Sequence, residues 1–376
     1  MIRLRSNDPM NPLLKSKREL GQTMINVDIP MLNKEAGKRA TSYIETLTKP
    51  LGSLGRLEDI AISLAEMTGN LTLEITPPGI IVFAADHGVV KEGVSAYPQE
   101  VTLQMVANIV NGGAAINVFG RQIGAQFKVV DVGVAGEVTE EQVVDKKIRQ
   151  GTGNFLTELA MTREEAEKAV LSGYEEGIQF IESGIKCLII GEVGIGNTTA
   201  SSAVLASITG ADPAAIVGFG TGISTEQHNR KVAVVRDAIN LHQPKPTDAI
   251  DILSKVGGLE MAAMAGAMLA AAEKRIPILI DGFICTVSAC LAKLMAPAVA
   301  DYMILSHQSV EPGHTTAVNH LQKEPLIQLN MRLGEGTGAA VAFPILQSAV
   351  NMINEMATFE NSGVSGKDAT EVTVNP

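Results

Sequence analysis

The sequence predicts an α/β protein built around a mostly parallel sheet. Five short apolar runs, rich in β-branched residues, recur along the chain at 80–83, 127–130, 187–190, 277–280 and 302–305. Stretches with helical periodicity separate them, and this alternation is typical of parallel strands covered by helices. At 376 residues, 45% hydrophobic and 19% charged, the chain is large enough for about two or three domains. Its composition excludes a disordered chain, a coiled coil and a collagen.

Three helices are predicted from their boundary residues and their periodicity. A capping box at 162–165 begins a helix that we expect to run to about Gly184. Further helices are expected from Glu226 to His242 and from Gly258 to Lys274. Within the last of these, the 12 residues from Met261 to Ala272 are nearly uncharged. They are fewer than the roughly 17 to 25 residues that span a bilayer, so we expect a buried helix and no membrane anchor.

The two ends of the chain predict a smaller helical unit beside the sheet. Residues 27–75 and 339–358 are helical in pattern and poor in strands, and we expect them to form a small helical subdomain. Residues 76–338 then form the α/β domain with the active site. Residues 1–26 and 359–376 have weak periodicity and are expected to be flexible extensions. The N-terminal segment lacks the apolar region and cleavage site of a secretory signal, so we expect a cytoplasmic protein.

The charge and the cysteine and histidine content narrow the possible partners. The net charge of −11 argues against nucleic acid or an anionic membrane as the main partner. Three irregularly spaced cysteines do not suggest a disulfide framework or a CxxC metal site. The six histidines show neither HxxxH nor HExxH spacing, so no metal and no cofactor are predicted. Any anionic ligand must therefore be held by local donors.

Polar residues follow each apolar run at the point where the predicted strand ends. They are Asp86, Asp131, Glu192, Asp281 and the pair Ser306-His307. Because ligands of open α/β sheets bind outside the carboxyl ends of the strands, we expect these residues to converge on one cleft. Asp86 and Ser306 are therefore candidate substrate-binding residues. For Asp86, hydrogen bonding to backbone amides is the alternative.

A glycine-rich segment after the third run is a candidate phosphate site. GEVGIGNTT (191–199) contains Glu192, Gly194, Gly196 and Asn197 and precedes a predicted helix. Such a turn aims backbone N–H groups and the positive end of the helix dipole at an anion. A plain tight turn is an equally good interpretation. The spacing GxxGxG is neither the dinucleotide pattern nor a P-loop, which argues against a dinucleotide-dependent oxidoreductase.

A second glycine-rich loop, at 218–224, contains Gly220 and is followed seven residues later by Lys231. Free backbone amides together with one ammonium would bind a phosphomonoester in an otherwise acidic protein. Without other context, Lys231 fits a solvated helix position better.

One carboxylate, Glu335, lies among glycines in LGEGTGAA (333–340), just before an apolar helix. Glycines allow a ligand to approach closely, and desolvation can raise the pKa of a carboxylate toward that of a useful base. A glutamate favoured by the helix dipole is an equally good interpretation.

Six motifs occur in an order that resembles one enzyme family. They are TKPLGSLGRLE (48–58), ADHGV (85–89), GEVGIGNTT (191–199), IDILSKVGG (250–258), DGF (281–283) and MRLGEG (331–336). Over about residues 27–358 the chain closely resembles the nicotinate-nucleotide:dimethylbenzimidazole phosphoribosyltransferases of the cobalamin lower-ligand pathway.

The resemblance implies a Rossmann-like sheet with a small helical subdomain, assembled as a homodimer. It also implies transfer of the 5-phosphoribosyl group of nicotinate mononucleotide to 5,6-dimethylbenzimidazole, which gives α-ribazole 5′-phosphate and nicotinate. By motif position, Glu335 corresponds to the family's general base and Glu192 to its other active-site carboxylate. The remaining matches are phosphate-binding positions at Gly194, Gly220 and Lys231, and acceptor-binding positions at Tyr97 and Gln104.

Two alternatives keep the same fold. Related enzymes use phenol or p-cresol as the acceptor, and some act as pairs of unlike subunits. Tyr97 and Met105 differ from the pattern of some dimethylbenzimidazole enzymes, which leaves a phenolic base open. The second alternative is a non-catalytic subunit in a heterodimer with a paralogue, but such a subunit has no reason to keep Glu335, Glu192 and Lys231 together.

Overall fold

The computed structural model describes residues 27–365 and has one parallel sheet at its centre. The strands are β1 (Pro78–Ala85), β2 (Gln126–Gly133), β3 (Val143–Asp145), β4 (Cys187–Val193), β5 (Ile278–Ile280) and β6 (Met303–Leu305). They lie in the order β3-β2-β1-β4-β5-β6, and each neighbouring pair is parallel. The α/β class and the five predicted strands are confirmed. The sequence did not indicate β3, because it is a partly exposed edge strand of only three residues.

The helices include the three that the sequence predicts. The α-helices of the described residues are α1 (Lys34–Ile44), α2 (Arg56–Thr68), α3 (Glu100–Val110), α4 (Ala115–Gln122), α5 (Arg163–Glu182), α6 (Asn197–Thr209), α7 (Pro213–Ile216), α8 (Thr225–His242), α9 (Ala249–Val256), α10 (Leu259–Glu273), α11 (Phe283–Met295), α12 (Pro312–Leu321), α13 (Thr337–Glu355) and α14 (Phe359–Ser362). The predicted ones are α5, α8 and α10. The capping box of α5 is formed, because Glu165 N–H donates to Thr162 Oγ1 at 3.1 Å and Thr162 N–H donates to Glu165 Oε2 at 2.7 Å.

Helices cover both faces of the sheet. Successive side chains of a strand point to opposite faces. In β1, Gly79 lies against Phe180 of α5, whereas Ile80 lies against Gly120 of α4. The N-terminus of α13 contacts Ile189, the register partner of Ile80, and so lies on the α4 face. This double cover explains why β1 and β4 are buried along their whole length.

The apolar stretch Met261–Ala272 lies within α10 and is buried at every position, as predicted. α10 packs against α5 and contacts β1, β2, β4 and β5. A helix enclosed on all sides needs apolar residues around its whole circumference. Among the described residues, 27–365, none of the helices combines the length and apolar character needed to cross a bilayer.

The two ends of the described chain pack against each other. α2 packs against both α1 and α13. The side chain of Asn354 bonds to both backbone groups of Leu73, accepting the N–H at 3.2 Å and donating to the carbonyl at 2.8 Å. Leu47 and Thr358 form an isolated antiparallel bridge. Residues near both ends therefore contribute to one helical layer.

The predicted domain boundaries are covered only in part by the described residues. The predicted flexible tail begins at residue 359, but Phe359–Ser362 form α14. Residues 1–26 and 366–376, which hold the predicted N-terminal extension and the rest of the tail, lie outside the described residues. The limits of a separate helical subdomain stay a prediction.

The strand order indicates where a ligand site lies. From β1 the chain moves to β2 and β3 on one side, and then crosses back to β4 on the other side of β1. Ligands of such sheets bind at the carboxyl ends of the strands where the order reverses. β1 ends at Ala85, directly before the Asp86-His87 pair, and β4 ends at Val193, within the first glycine-rich segment. This edge of the sheet therefore carries the candidate site.

Candidate active site

A cavity of about 450 Å³ lies at the carboxyl end of the sheet. β4 contributes Glu192 to its wall, and Asp281 follows β5. The first glycine-rich segment contributes Asn197, and the second loop contributes Gly220. The ends of two strands and both glycine-rich segments thus meet at one cavity.

Glu192 lies near the end of β4 and is almost fully buried, with 4% exposure. Its Oε2 accepts a hydrogen bond from the side-chain amide of Asn197, and its Oε1 accepts the backbone N–H of Glu335 at 3.4 Å. Burial raises the pKa of Glu192 well above its usual range, and the charges of Glu260 and Asp281 raise it further. Such a group keeps its proton to a higher pH than an exposed carboxylate does.

Glu335 directly follows Gly334, which lines the cavity, and has a left-handed backbone with a φ of 64°. Gly191 of β4 makes room for it, since a Cβ there would collide with the Glu335 carbonyl. The Glu335 side chain is buried, and its Oε2 has no hydrogen-bond partner within residues 27–365. Burial raises the pKa of Glu335; the Ile116 backbone amide opposes this shift, and the charge of Asp281 adds to it. Glu335 itself does not line the cavity, so contact of its carboxylate with a ligand stays a prediction.

Asp281 holds the Glu335 loop in place. It is fully buried, and its two carboxylate oxygens accept the backbone N–H groups of Gly336 and Ala339, each at 3.1 Å. N–H groups in the first turn of a helix have no acceptor within that helix. His307 Nε2 lies 3.4 Å from Asp281 Oδ1. Asp281 therefore ties the end of β5 to the start of α13 and fixes the loop that precedes α13.

Lys231 of α8 is buried, with 1% exposure, so the solvated interpretation of this residue is wrong. Its Nζ donates to Thr198 Oγ1 at 2.8 Å and to the Gly218 carbonyl at 3.4 Å. Burial lowers the pKa of Lys231 to about 8, although the charge of Glu311 opposes the shift. The buried ammonium thus joins the two glycine-rich segments.

Two further side chains contact the second glycine-rich loop. Gly220 N–H donates to Glu311 Oε1 at 3.1 Å, and Arg332 Nη1 donates to the Gly220 carbonyl at 2.7 Å. Glu311 and Arg332 both line the cavity. The guanidinium of Arg332 and the ammonium of Lys231 outnumber the one carboxylate here, Glu311, in a protein of net charge −11. This side of the cavity is suited to an anion.

Of five other predicted residues, two line the cavity and three do not. Tyr97 and Asn197 line it, and Tyr97 is 54% exposed. Gly194 and Gly196 are not among its lining residues; they form the turn before α6, where Gly196 has a φ of 96°. Gln104 is exposed on α3.

Asp86 and Ser306 are buried and do not line the cavity. Asp86 Oδ2 accepts the backbone N–H of Ala135 at 2.8 Å, which is the amide-bonding role given above as the alternative. Ser306 Oγ has no hydrogen-bond partner in the described part of the chain. Contact with substrate stays a prediction for both residues.

A second cleft, of about 400 Å³, lies beside β6 and is lined by Arg56, Asp301 and Lys323 among others. It lies at the edge of the sheet, away from the reversal of strand order. None of the predicted site residues lines it. The cavity at the ends of β4 and β5 is therefore the better candidate for chemistry.

Comparison with known proteins identifies the family. A family model described as "Phosphoribosyltransferase" matches residues 29–364. The chain belongs to this phosphoribosyltransferase family. Over 335 residues it is 51% identical to the nicotinate-nucleotide–dimethylbenzimidazole phosphoribosyltransferase of Halalkalibacterium halodurans. The aligned region covers 89% of this chain and 94% of that protein. This chain is 48% identical over 350 residues to the enzyme of the same name from Chloroflexus aurantiacus, covering 93% and 99%.

Comparison with solved structures indicates the same family as these relatives. A crystal structure of nicotinate-nucleotide–dimethylbenzimidazole phosphoribosyltransferase from Thermus thermophilus matches with a TM-score of 0.84 at 42% identity, covering 89% of this chain and 99% of that one. The family resemblance drawn from the six motifs is confirmed, and this chain is a phosphoribosyltransferase. Both glycine-rich segments and Glu335 lie within the matched residues 29–364.

Sequence reasoning missed two charged residues that line the cavity, Arg332 and Glu311, and the buried Glu260, which does not line it. Arg332 lies just before the glycines around Glu335, and this position beside a glycine-rich segment was the signal that could have identified it. Glu311 directly precedes Pro312 and resembles an ordinary helix start. Glu260 is a lone charge at the beginning of the apolar helix α10, and nothing local shows what it contacts.

Replacing Asp281 by Asn is expected to loosen the loop that carries Glu335. The Asn side chain would turn an NH2 group toward one of the two backbone N–H groups. A buried hydrogen bond lost in this way lowers the free energy of unfolding by about 1–3 kcal/mol. Because Glu335 would then be held less well, we expect turnover to fall about tenfold or more. Thermal unfolding and steady-state kinetics measure the two effects.

Asp131→Asn is the matched control for Asp281→Asn. Asp131 lies in β2, is buried, and accepts the backbone N–H groups of Gly133 at 3.0 Å and Val134 at 2.8 Å with Oδ1. Its Oδ2 lies 3.2 Å from Lys147 Nζ, so the substitution by Asn removes this ion pair. Asp131 does not line the cavity. We expect a similar loss of stability with turnover retained. Equal losses of turnover in the two variants would contradict a specific role for Asp281.

Proposed function

We propose that this phosphoribosyltransferase transfers the 5-phosphoribosyl group of nicotinate mononucleotide to 5,6-dimethylbenzimidazole. The products are α-ribazole 5′-phosphate and nicotinate, in the synthesis of the lower ligand of cobalamin. The observation that carries the proposal is one cavity lined by Glu192 and Arg332, with the buried Lys231 bonded to Thr198 of its wall and the buried Glu335 directly after Gly334 of its wall. The names of relatives at 51% and 48% identity support the same reaction.

The donor nucleotide binds through its phosphate. The ammonium of Lys231 and the guanidinium of Arg332, both at the second glycine-rich loop, provide the positive charge for a phosphomonoester. The first glycine-rich segment, with Asn197 at the start of α6, then lies beside the ribose. With the phosphate fixed at one end, C1′ of the ribose is placed near Glu192.

The chemistry at C1′ needs little help from a general acid. The ring nitrogen of the bound nicotinate moiety is cationic, so it leaves as a neutral pyridine nitrogen when the C1′–N bond breaks. One nitrogen of the benzimidazole forms the new C1′–N bond from the opposite face, which inverts the β configuration to α. Much of the rate then comes from holding two flat rings on opposite sides of C1′.

Glu335 acts as the general base in this scheme. The attacking benzimidazole would become cationic unless the proton on its other nitrogen is removed. A carboxylate within hydrogen-bond reach of that N–H takes this proton. The unpartnered Oε2 of Glu335 and its raised pKa support the role.

Glu192 has two possible roles in this proposal. As a carboxylate it would stabilise the positive charge that develops on the ribosyl group in an oxocarbenium-like transition state. Alternatively it binds the ribose hydroxyls. In both roles the side-chain amide of Asn197 orients it.

The assembly and location form part of the proposal. The proposed location is the cytoplasm. The resemblance to a family that acts as homodimers supports a homodimer, with a heterodimer of paralogues as the alternative. Light scattering of the purified chain tests this directly. A mass that corresponds to a monomer at working concentrations would contradict the homodimer.

A phenolic base is the second candidate acceptor. Tyr97 lines the cavity and is half exposed, so it lies where an acceptor ring would enter. Its difference from the pattern of some dimethylbenzimidazole enzymes favours a broader choice of acceptor. Phenol and p-cresol are therefore included in the test.

The test is a chromatographic assay of the purified protein with nicotinate mononucleotide and, separately, dimethylbenzimidazole, adenine, phenol and p-cresol. We expect α-ribazole 5′-phosphate and nicotinate in equal amounts with dimethylbenzimidazole. If kcat/KM is higher with phenol or p-cresol than with dimethylbenzimidazole, the phenolic base becomes the proposed acceptor. The absence of product with every acceptor would contradict catalysis by this chain alone and favour a non-catalytic subunit.

A further inference from the structure

A short segment of irregular backbone, residues 95–97, brings Tyr97 to the cavity wall. This Tyr97 segment lies between the 3₁₀ helix Gly88–Glu92 and α3, in neither a helix nor a strand. Val94, directly before it, is buried, whereas Ala96 and Tyr97 are exposed. Packing into the core therefore fixes the segment at its start, and hydrogen bonds must fix the rest.

These hydrogen bonds converge on one hydroxyl, that of Thr221 in the second glycine-rich loop. Thr221 Oγ1 accepts the backbone N–H of Ala96 at 3.0 Å and lies 3.5 Å from Ser95 Oγ. Ser95 Oγ in turn accepts the backbone N–H of Tyr97 at 3.1 Å. Among the described residues, every hydrogen bond that joins the Tyr97 segment to another part of the chain ends at Thr221.

Thr221 is itself held in place by its loop. Gly222 N–H donates to the Phe219 carbonyl at 2.9 Å, which closes a tight turn with Gly220 and Thr221 at its centre. The N–H and the carbonyl of Gly220 are bonded to a carboxylate and a guanidinium of the cavity wall. The Thr221 hydroxyl is therefore a fixed point to which the Tyr97 segment is attached.

We propose that Thr221 is a positioning residue for the acceptor base: its hydroxyl holds the Tyr97 segment and so places the Tyr97 ring beside the acceptor. Both Thr221 and Tyr97 line the cavity. The inference deepens the proposed function and rests on it, since it takes Tyr97 to border the acceptor. A hydroxyl of the loop that serves the donor phosphate thus contributes to acceptor binding.

The physical reason is the cost of ordering an exposed aromatic side chain. A flat acceptor such as a benzimidazole packs against an aromatic ring in preferred geometries. Tyr97 is 54% exposed, so its ring is poorly fixed unless its backbone is held. Fixing the backbone beforehand reduces the entropy that is lost when the acceptor binds. Loss of the Thr221 hydroxyl should therefore weaken acceptor binding and leave donor binding unchanged.

The test is Thr221→Val, which removes the hydroxyl and keeps the shape of the side chain. We expect the KM for dimethylbenzimidazole to rise by about three- to tenfold, the equivalent of one ordinary hydrogen bond. The KM for nicotinate mononucleotide and the kcat at saturating acceptor should stay close to the wild-type values. Thr221→Ser keeps the hydroxyl and should restore the wild-type KM for dimethylbenzimidazole.

A double-mutant cycle tests whether Thr221 acts through Tyr97. Tyr97→Ala removes the ring, so in this background Thr221→Val should have little further effect on the KM for dimethylbenzimidazole. Additive effects of the two substitutions would show that Thr221 acts on the acceptor independently. A raised KM for nicotinate mononucleotide in Thr221→Val would show direct contact with the donor. Either result would overturn the proposal.

Thr209→Val is the matched control. Thr209 ends α6, and its hydroxyl likewise accepts a backbone N–H, that of Ala211 at 3.3 Å. Thr209 does not line the cavity, so we expect the KM of both substrates to be unchanged. An unchanged KM for dimethylbenzimidazole in Thr221→Val, or an equal rise in Thr209→Val, would also overturn the proposal.

Equilibrium binding separates this proposal from the proposed function. Calorimetry with dimethylbenzimidazole alone needs no turnover and should show the same loss of affinity in Thr221→Val. Equal affinities of the wild type and Thr221→Val would contradict this inference alone. A wild-type protein that binds dimethylbenzimidazole but forms no product would contradict the proposed function alone. A wild-type protein that binds no dimethylbenzimidazole would contradict both.

Discussion

Glu335→Gln is expected to lower kcat by about 10²–10⁴-fold, the usual contribution of a general base. Gln keeps the size and hydrogen bonding of the side chain but cannot accept the proton from the acceptor base. Glu335 has an unpartnered oxygen, and Asp281 fixes the loop through Gly336 and Ala339. We therefore expect the variant to fold and to bind both substrates normally. Steady-state kinetics measure the loss of turnover, and calorimetry with nicotinate mononucleotide shows whether substrate binding is kept.

The pH dependence provides a second test of Glu335. Burial raises its pKa, and only the ionised carboxylate can act as a base. The wild-type kcat should therefore fall as the pH drops through this raised value. Near-full turnover in Glu335→Gln with both substrates bound would contradict the base assignment.

Lys231→Met is expected to raise the KM for nicotinate mononucleotide by about 100-fold, with a much smaller change in kcat. Losing one member of a buried, hydrogen-bonded charge pair costs about 2–5 kcal/mol of binding, and Met keeps most of the length of the side chain. Nicotinate riboside, which lacks the phosphate, is the matched ligand: its affinity should be unchanged. A parallel loss for the riboside and the nucleotide would show that Lys231 does not bind the phosphate.

The same variant should be at least as stable as the wild type in the absence of ligand. Burial lowers the pKa of Lys231 from 10.5 to about 8, so the folded state binds this proton more weakly than the unfolded state. The buried charge therefore destabilises the fold fully below pH 8, by about 3 kcal/mol. This cost is relieved as the pH rises from about 8 toward 10.5. Thermal unfolding at pH 7 measures the stability of Lys231→Met. A midpoint clearly below that of the wild type would contradict this account.

The sequence predicts most of this fold because parallel α/β sheets have strong local signals. α5 follows from a capping box, α8 from its helical pattern and α10 from its run of Ala and Met residues, and the central strands follow from continuous β-branched runs. Asp281 and Glu192 could be predicted to share a cleft because the carboxyl ends of parallel strands meet at one edge. The short edge strand β3 lacks such a run.

Contacts between distant residues could not be predicted from local pattern. Lys231 lies among polar residues of α8, and its burial arises only because Gly218 and Thr198 close over it. The hydrogen bond between His87 and Glu260 depends on the packing of α10 beneath the end of β1. Glu335 could be singled out because the glycines on both sides of it are a local signal. Its anchoring by Asp281 is again a contact between distant parts of the chain.

The most direct test of the account is a crystal structure of the protein with α-ribazole 5′-phosphate bound. We expect the phosphate within hydrogen-bond distance of Lys231 Nζ and against the loop at Gly220. The benzimidazole nitrogen that is not bonded to ribose should lie within hydrogen-bond distance of the Glu335 carboxylate. A phosphate bound in the cleft beside β6, or a benzimidazole nitrogen out of reach of Glu335, would contradict the assignment of this cavity as the active site.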